Sequence, residues 1–136
     1  MMHYLDTNIL IYAAVNQIPE KRLRSQSILQ SLIEENLLLV SPLSLQELIF
    51  TLSKLKVPKL TIEDSCSFYR KLCRYEIDCE ILESASKMAL EIDFGRNIND
   101  VIHLKFAERY CEKLLTYDRD FKRLAPYSKI PVDIIN

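Results

Sequence analysis

The sequence predicts an α/β sandwich built around a small parallel sheet. Two observations lead there. Short, mostly apolar stretches of strand length alternate with longer amphipathic stretches of helical spacing, in the order β-α-α-β-α-α-α-(α)-β-α-β. At 136 residues, 49 % hydrophobic and 27 % charged, the composition is that of one ordinary globular domain rather than a disordered chain. No internal repeat, low-complexity stretch or linker divides it, so residues 1–136 read as a single domain.

The elements follow in order. His3-Tyr4-Leu5 reads as an opening strand, and Asp6-Thr7-Asn8 is a cluster suited to a helix N-cap before a buried helix over Ile9 to Val15. Pro19 opens a second helix to about Glu35, with Ile28, Leu29, Leu32 and Ile33 as its apolar edge. Leu37 to Val40 is an apolar run of strand length. Ser41-Pro42 then places a cap and a first-turn proline before a helix to Lys56, which Pro58 stops. Thr61-Ile62-Glu63-Asp64 resembles a capping box, and Ile62, Cys66, Tyr69 and Cys73 follow at helical spacing. Cys79 to Leu82 reads as a short extended piece. Ala85, Met88, Ala89 and Ile92 mark a helix ending near Gly95, and Asn97-Ile98-Asn99 caps a helix over Asp100 to Cys111. Lys113 to Thr116 is a strand, Asp118 to Leu124 a short helix, and Val132 to Ile135 a final strand.

Composition also excludes. The longest apolar run, Ile9 to Val15, falls far short of the roughly 18–20 residues that span a bilayer. Met1-Met2-His3-Tyr4 lacks the cationic start of a signal peptide, and a cytoplasmic protein is expected. Gly95 is the one glycine, so a Walker-type phosphate loop and a dinucleotide fingerprint are both excluded. Phosphate chemistry here must use side chains and metals. The formal net charge is −1 with no basic or acidic tail, which argues against binding nucleic acid by bulk charge and leaves room for a local basic patch. Cys66, Cys73, Cys79 and Cys111 form no C-x-x-C pair, so free thiols in a reducing compartment are expected rather than a zinc site.

Acidic residues stand where folded proteins usually avoid them. Asp6 follows the first predicted strand. Asp118, with Asp120 two residues on, follows the strand Leu114-Leu115-Thr116. Ligands of open α/β sheets bind outside the carboxyl ends of strands, so two strands would deliver carboxylates to one edge. Asp100 shares a helical face with His103, Leu104, Ala107 and Cys111, where a carboxylate is costly without a cation or donors. Glu47 sits in mid-helix beside Leu43 and Phe50. Each has a plainer reading: Asp6 and Asp100 as helix caps, Glu47 as a solvated residue, Asp118 and Asp120 as turn residues. Together they are harder to dismiss. Converging carboxylates repel one another and demand a hard divalent cation such as Mg²⁺ or Mn²⁺, which supports displacement at phosphorus.

Four segments carry a resemblance: Tyr4-Leu5-Asp6-Thr7-Asn8-Ile9-Leu10, Ser44-Leu45-Gln46-Glu47-Leu48, Asn99-Asp100-Val101-Ile102-His103-Leu104 and Leu115-Thr116-Tyr117-Asp118-Arg119-Asp120-Phe121. In order and spacing the chain resembles the PIN-domain ribonucleases, most closely the VapC-type toxins of toxin–antitoxin pairs. The resemblance implies a three-layer α/β/α sandwich and a metal-dependent endoribonuclease leaving 5′-phosphate and 3′-hydroxyl ends. It implies that Asp6, Glu47, Asp100 and Asp118 hold Mg²⁺ or Mn²⁺, with Asp120 as an accessory acid. It implies that Thr7, Asn8 and Thr116 position carboxylates, water or the scissile phosphate. Homodimerisation and a cognate antitoxin are implied partners. Tyr117 departs from the small polar residue many relatives carry, and Asp93 to Asn97 is unusually charged.

Arg96, Arg119, Lys122 and Arg123 lie near this site in sequence and are candidate contacts for RNA phosphates. Lys21, Arg22 and Arg24, and Arg70, Lys71 and Arg74, form two further clusters; such runs are more often solvated faces. His103 reads as a hydrogen-bonded packing residue rather than a ligand, since Mg²⁺ prefers oxygen. Two other classes remain open: a nuclease of RNA maturation or decay without an antitoxin, and a noncatalytic binding module. The aspartyl-phosphate signature D-x-D-x-[TV] is missing after the first strand, where Thr7 and Asn8 follow Asp6.

Overall fold

The structure, a computed structural model, describes residues 1–136. Four strands, β1 (Met2–Leu5), β2 (Leu38–Leu39), β3 (Cys111–Thr116) and β4 (Val132–Ile134), form one all-parallel sheet in the order β2-β1-β3-β4. Six helices connect them: α1 (Thr7–Ala14), α2 (Pro19–Glu34), α3 (Pro42–Lys54), α4 (Lys59–Arg70), α5 (Cys79–Glu91) and α6 (Ile98–Tyr110).

Alternation along the strands creates two cores, one on each face of the sheet. Tyr4, Leu39 and Leu114 pack with Ile81, Ala85 and Ala89 of α5 and with Leu104, Phe106 and Ala107 of α6. Their neighbours Leu5 and Leu38 pack the other way, with Ile9 and Leu10 of α1, Leu29 and Leu32 of α2, and Leu48 and Leu52 of α3. The result is the expected three-layer α/β/α sandwich. Phe106 is fully buried, with its ring 5.6 Å from that of Tyr4 and 5.0 Å from that of Tyr110. Phe106→Ala is expected to cost about 3–5 kcal/mol of unfolding free energy, read from the urea midpoint at unchanged slope.

Side-chain caps start three of the six helices. Asp6 accepts from the Thr7 amide, Ser41 from the Ser44 amide (3.1 Å) and Asp78 from the Ile81 amide (2.9 Å). Three expectations are corrected. Cys79 to Leu82 is not extended: the Asp78 cap and Glu80 in the first turn start α5 there. The capping box at Thr61 does not form, because α4 has already begun at Lys59, with Ile62 N–H bonded to Pro58 C=O (3.1 Å); α4 ends at Arg70, before Cys73. The short helix over Asp118 to Leu124 is a 3₁₀ turn at Arg119–Lys122, with another at Ala125–Tyr127.

Helix ends share a device. Asn36, Lys56 and Asp93 take left-handed φ of 56°, 60° and 54° after α2, α3 and α5. The next residue's N–H then reaches back five positions, Leu37 to Leu32 (2.9 Å), Val57 to Leu52 (3.0 Å) and Phe94 to Ala89 (2.7 Å). This is the Schellman arrangement, which satisfies carbonyls that would otherwise be orphaned.

Two features of the sheet place the site. The chain leaves β1 towards β2 on one side, and β3 lies on the other, so the strand order switches between β1 and β3. Both strands end at the same edge, immediately before Asp6 and just before Asp118.

Candidate active site

Asp6 extends β1 by one step, its N–H donating to Leu115 C=O at 2.9 Å. Its carboxylate is 6 % exposed and well supplied with donors. Oδ1 accepts from the Thr7 amide (2.8 Å), and Oδ2 from the Thr116 hydroxyl (2.7 Å) and the Asn8 amide (3.3 Å). Thr116 Oγ1 also accepts from the Asp118 N–H (2.9 Å) and the Asn8 side chain (3.3 Å), so one hydroxyl ties the two strand ends together. Asp118 Oδ1 in turn accepts from the Asp120 N–H at 2.9 Å.

Asp6, Asp100, Asp118 and Glu47 line one cleft of about 510 Å³, together with Thr7, Asn8, Ile11, Gln46, Phe50, Thr51 and Asn99. The sequence had put the four acids and Thr7 and Asn8 at a common site, and they share it. Gln46, Phe50 and Thr51 were not foreseen. They stand one residue before and three and four after Glu47, the spacing of one helical flank, so the signal was present. Phe50 is 67 % exposed at the cleft, an apolar surface among acids. Asn99, to which the sequence assigns no role in the site, donates to Glu47 Oε2 at 3.2 Å.

Other candidates stand elsewhere. The Asp120 side chain is exposed and outside the cleft lining. Arg96, Arg119, Lys122 and Arg123 are exposed and also outside it. Arg123 is further engaged, donating to Ile92 C=O (2.6 Å) with its guanidinium 4.8 Å from the Phe94 ring centre. Lys21 lies over the rings of Tyr12 and Tyr117. Tyr117 is buried against the α1–α2 layer, its hydroxyl hydrogen-bonded to Ser25 Oγ (2.9 Å), so this unusual residue serves packing.

His103 is almost fully buried beneath the cleft. Its Nε2–H donates to Glu47 Oε1 (2.6 Å), its Nδ1 pairs with the Tyr4 hydroxyl, and Asp6 Oδ1 lies 3.9 Å from Nε2. The expected hydrogen-bonded packing histidine is present, with more partners than packing needs.

The electrostatics separate the acids. Burial pushes the Asp6 carboxyl up, against His103 and the Thr116 hydroxyl. Asp100 is pushed up to about 7, by burial first and then by the charges of Asp6 and Asp118. Burial would raise Glu47 too, but the hydrogen bond from His103, the charge of that ring and the donors Thr7 and Asn99 hold it below the usual range. His103 is raised: burial opposes its charge, but Glu47 and Asp6 outweigh burial. A carboxyl driven towards neutrality mainly by burial and two neighbouring carboxylates is one that a cation would restore to charge.

No three His, Cys, Asp or Glu side chains converge on one coordination point. That geometry still suits Mg²⁺, which keeps several of its waters and takes only one or two carboxylates directly. The donor set is all hard oxygen, which excludes a thiolate-type zinc centre.

A model of the PIN domain family matches residues 3–126, nearly the whole chain. The chain belongs to the PIN domain family. PIN domains are in general nucleases, and as a family they generally use divalent metal ions. No curated protein matches the chain. Among solved structures, this PIN domain is similar in fold to one described as VapBC2 from Rickettsia felis bound to a DNA fragment from their promoter. The likeness has a TM-score of 0.69 at 18 % identity and covers 100 % of both chains. No helix of this PIN domain is long and apolar enough to cross a membrane.

Proposed function

We propose that this chain is a single PIN nuclease domain acting as a Mg²⁺- or Mn²⁺-dependent endoribonuclease, the toxin of a toxin–antitoxin pair. The observation that carries the reading is the cleft at the β1/β3 edge. There Asp6, Asp100, Asp118 and Glu47 line one cleft, and the charges of Asp6 and Asp118 act on Asp100.

Asp6, Glu47, Asp100 and Asp118 are the residues that would hold the cation. A bound divalent ion supplies an activated water and neutralises charge on the phosphate and the leaving oxygen. The protein's own part is positioning. Thr116 and Asn8 fix the Asp6 carboxylate, and Thr116 also fixes the start of the Asp118 turn. Gln46, Thr51 and Asn99 offer polar contacts to a sugar–phosphate chain, and Phe50 offers a face for an unstacked base. Arg96, Arg119, Lys122 and Arg123 would contact phosphates further along the strand, with an affinity that falls as salt rises.

The toxin reading rests on the likeness to the VapBC2 structure, a complex by its description, and on the segments shared with VapC-type toxins. It brings with it a homodimer, a cognate antitoxin and a cytoplasmic location.

Incubating the purified protein with total cellular RNA tests the reading. Discrete cuts with 5′-phosphate ends are expected with Mn²⁺ or Mg²⁺ and none with EDTA. Cuts that persist in EDTA would overturn metal dependence. No cutting and no thermal stabilisation by Mn²⁺ would favour a binding module instead.

A further inference from the structure

A buried polar chain runs beneath the cleft and ends on Glu47. Ser41 and Ser44, at the start of α3, both hydrogen-bond the Tyr4 hydroxyl (2.8 and 3.0 Å) and each other (3.2 Å). Tyr4 on β1 pairs with His103 Nδ1, and His103 Nε2–H reaches Glu47 Oε1. Tyr4, Ser41, Ser44 and His103 are all buried to 1 % exposure or less. Ser41 Oγ also caps α3, but packing alone asks for no hydrogen-bonded chain of four polar side chains in a core. Their arrangement satisfies every member and leaves one outlet, the Nε2–H on Glu47.

Glu47 is correspondingly strapped. Oε1 accepts from His103 and from the Thr7 hydroxyl (2.7 Å), and Oε2 accepts from Asn99. The straps come from α1 and α6, whereas Glu47 sits on α3. The carboxylate is therefore held by the two helices that also begin beside Asp6 and carry Asp100.

We propose that His103 is a positioning residue for the metal-dependent site: its ring, locked by Tyr4 and the Ser41–Ser44 pair, holds the Glu47 carboxylate at the wall of the cleft. The inference rests on the nuclease reading above. Partners that orient the groups around a metal are worth about 10–100-fold in metal affinity or activity when removed.

The two ring nitrogens allow a clean test. In His103→Gln the amide can reach the position of Nε2 and donate to Glu47. In His103→Asn it reaches only the position of Nδ1 and loses Glu47. Mn²⁺ binding to the metal-free protein is measured by titration calorimetry, with kcat and KM on an RNA that the wild type cuts. His103→Asn is expected to weaken Mn²⁺ binding and lower kcat by about 10-fold or more, with KM little changed. His103→Gln is expected to recover most of both. Tyr4→Phe keeps the ring and frees the imidazole, so it should give a smaller loss in the same direction. It carries the test if His103→Asn does not fold, as judged by its melting curve. Equal losses in Asn and Gln variants of equal stability, or Mn²⁺ affinity unchanged in His103→Asn or Tyr4→Phe, would overturn the proposal. A wild type that neither binds Mn²⁺ nor cuts RNA would instead overturn the nuclease reading beneath it.

Discussion

Asp6→Asn is expected to abolish RNA cleavage, lowering kcat by more than about 100-fold, while the protein stays folded. The magnitude follows from the position. Partners one step removed from a metal already cost about 10–100-fold, and Asp6 stands at the centre of the cleft itself. It is also the residue through which the two strand ends communicate, by way of Thr116. The amide is nearly isosteric. Its one oxygen can keep the bond from the Thr7 N–H or the one from the Thr116 hydroxyl, which reach different carboxylate oxygens, and its nitrogen cannot accept at all. The substitution thus removes charge and one acceptor without opening a cavity. Burial already works against the Asp6 charge, so the neutral variant should lose little stability. Cleavage of the same RNA pool by both proteins, with matched melting curves, is the measurement. Retained cutting in a folded Asp6→Asn protein would remove Asp6 from the reaction and with it the proposed site.

The path from sequence to this cleft was short for some residues and closed for others. Asp6 and Asp118 were legible because the rule that locates them is topological: parallel strands bind ligands at their carboxyl ends. The rule needs only strand ends, and apolar runs mark those well. Asp100 was legible through helical spacing, which put it on a face with Leu104 and Ala107. Glu47 was not legible by itself. Its half-buried setting depends on α1 and α6 arriving from elsewhere in the chain, and only the family pattern singled it out. The same holds for His103, whose partners Tyr4 and Glu47 are 99 and 56 residues away. Local pattern said apolar face, hence packing, and that was correct as far as it went.

The misread elements have local causes. Asp78 is an ordinary N-cap, and Ile81 continues the Ala85 and Ala89 face one turn earlier, but Cys79-Glu80-Ile81 taken alone alternates apolar and polar as a strand does. The helix ends at Asn36, Lys56 and Asp93, by contrast, were read to within a few residues, although they use left-handed residues other than glycine, the usual marker of such ends. With Gly95 the one glycine, that marker was absent from this chain.

Asp100→Asn is expected to make the metal-free protein melt higher and to remove most of the stabilisation given by Mn²⁺. In the folded protein the Asp100 carboxyl is pushed up to about 7, from an ordinary value near 3.8. A raised carboxyl is a cost to folding, not a gain. Below about pH 4 both folded and unfolded chains carry the proton and the cost is absent. Between about pH 4 and 7 the unfolded chain ionises first, so stability falls as pH rises. Above 7 the cost is fully present. The asparagine variant has no such term. Its melting temperature should match the wild type near pH 4 and exceed it by several degrees at pH 8 in EDTA. Comparing the two proteins at each pH cancels the titration of groups that do not interact with Asp100, while any change at its charge-coupled neighbours Asp6, Asp118 and His103 belongs to the difference. Saturating Mn²⁺ should then reverse the order. A ligand at 100 times its Kd stabilises by about 2.7 kcal/mol, and the variant has lost a carboxylate on which that binding draws. Proton and metal compete for Asp100, so Mn²⁺ affinity of the wild type should also weaken as pH falls below about 7. The inversion is the decisive outcome. A carboxyl kept for structure would leave the variant less stable with or without metal. One kept against the fold's own stability, and relieved by a cation, gives a more stable protein that has lost its metal response.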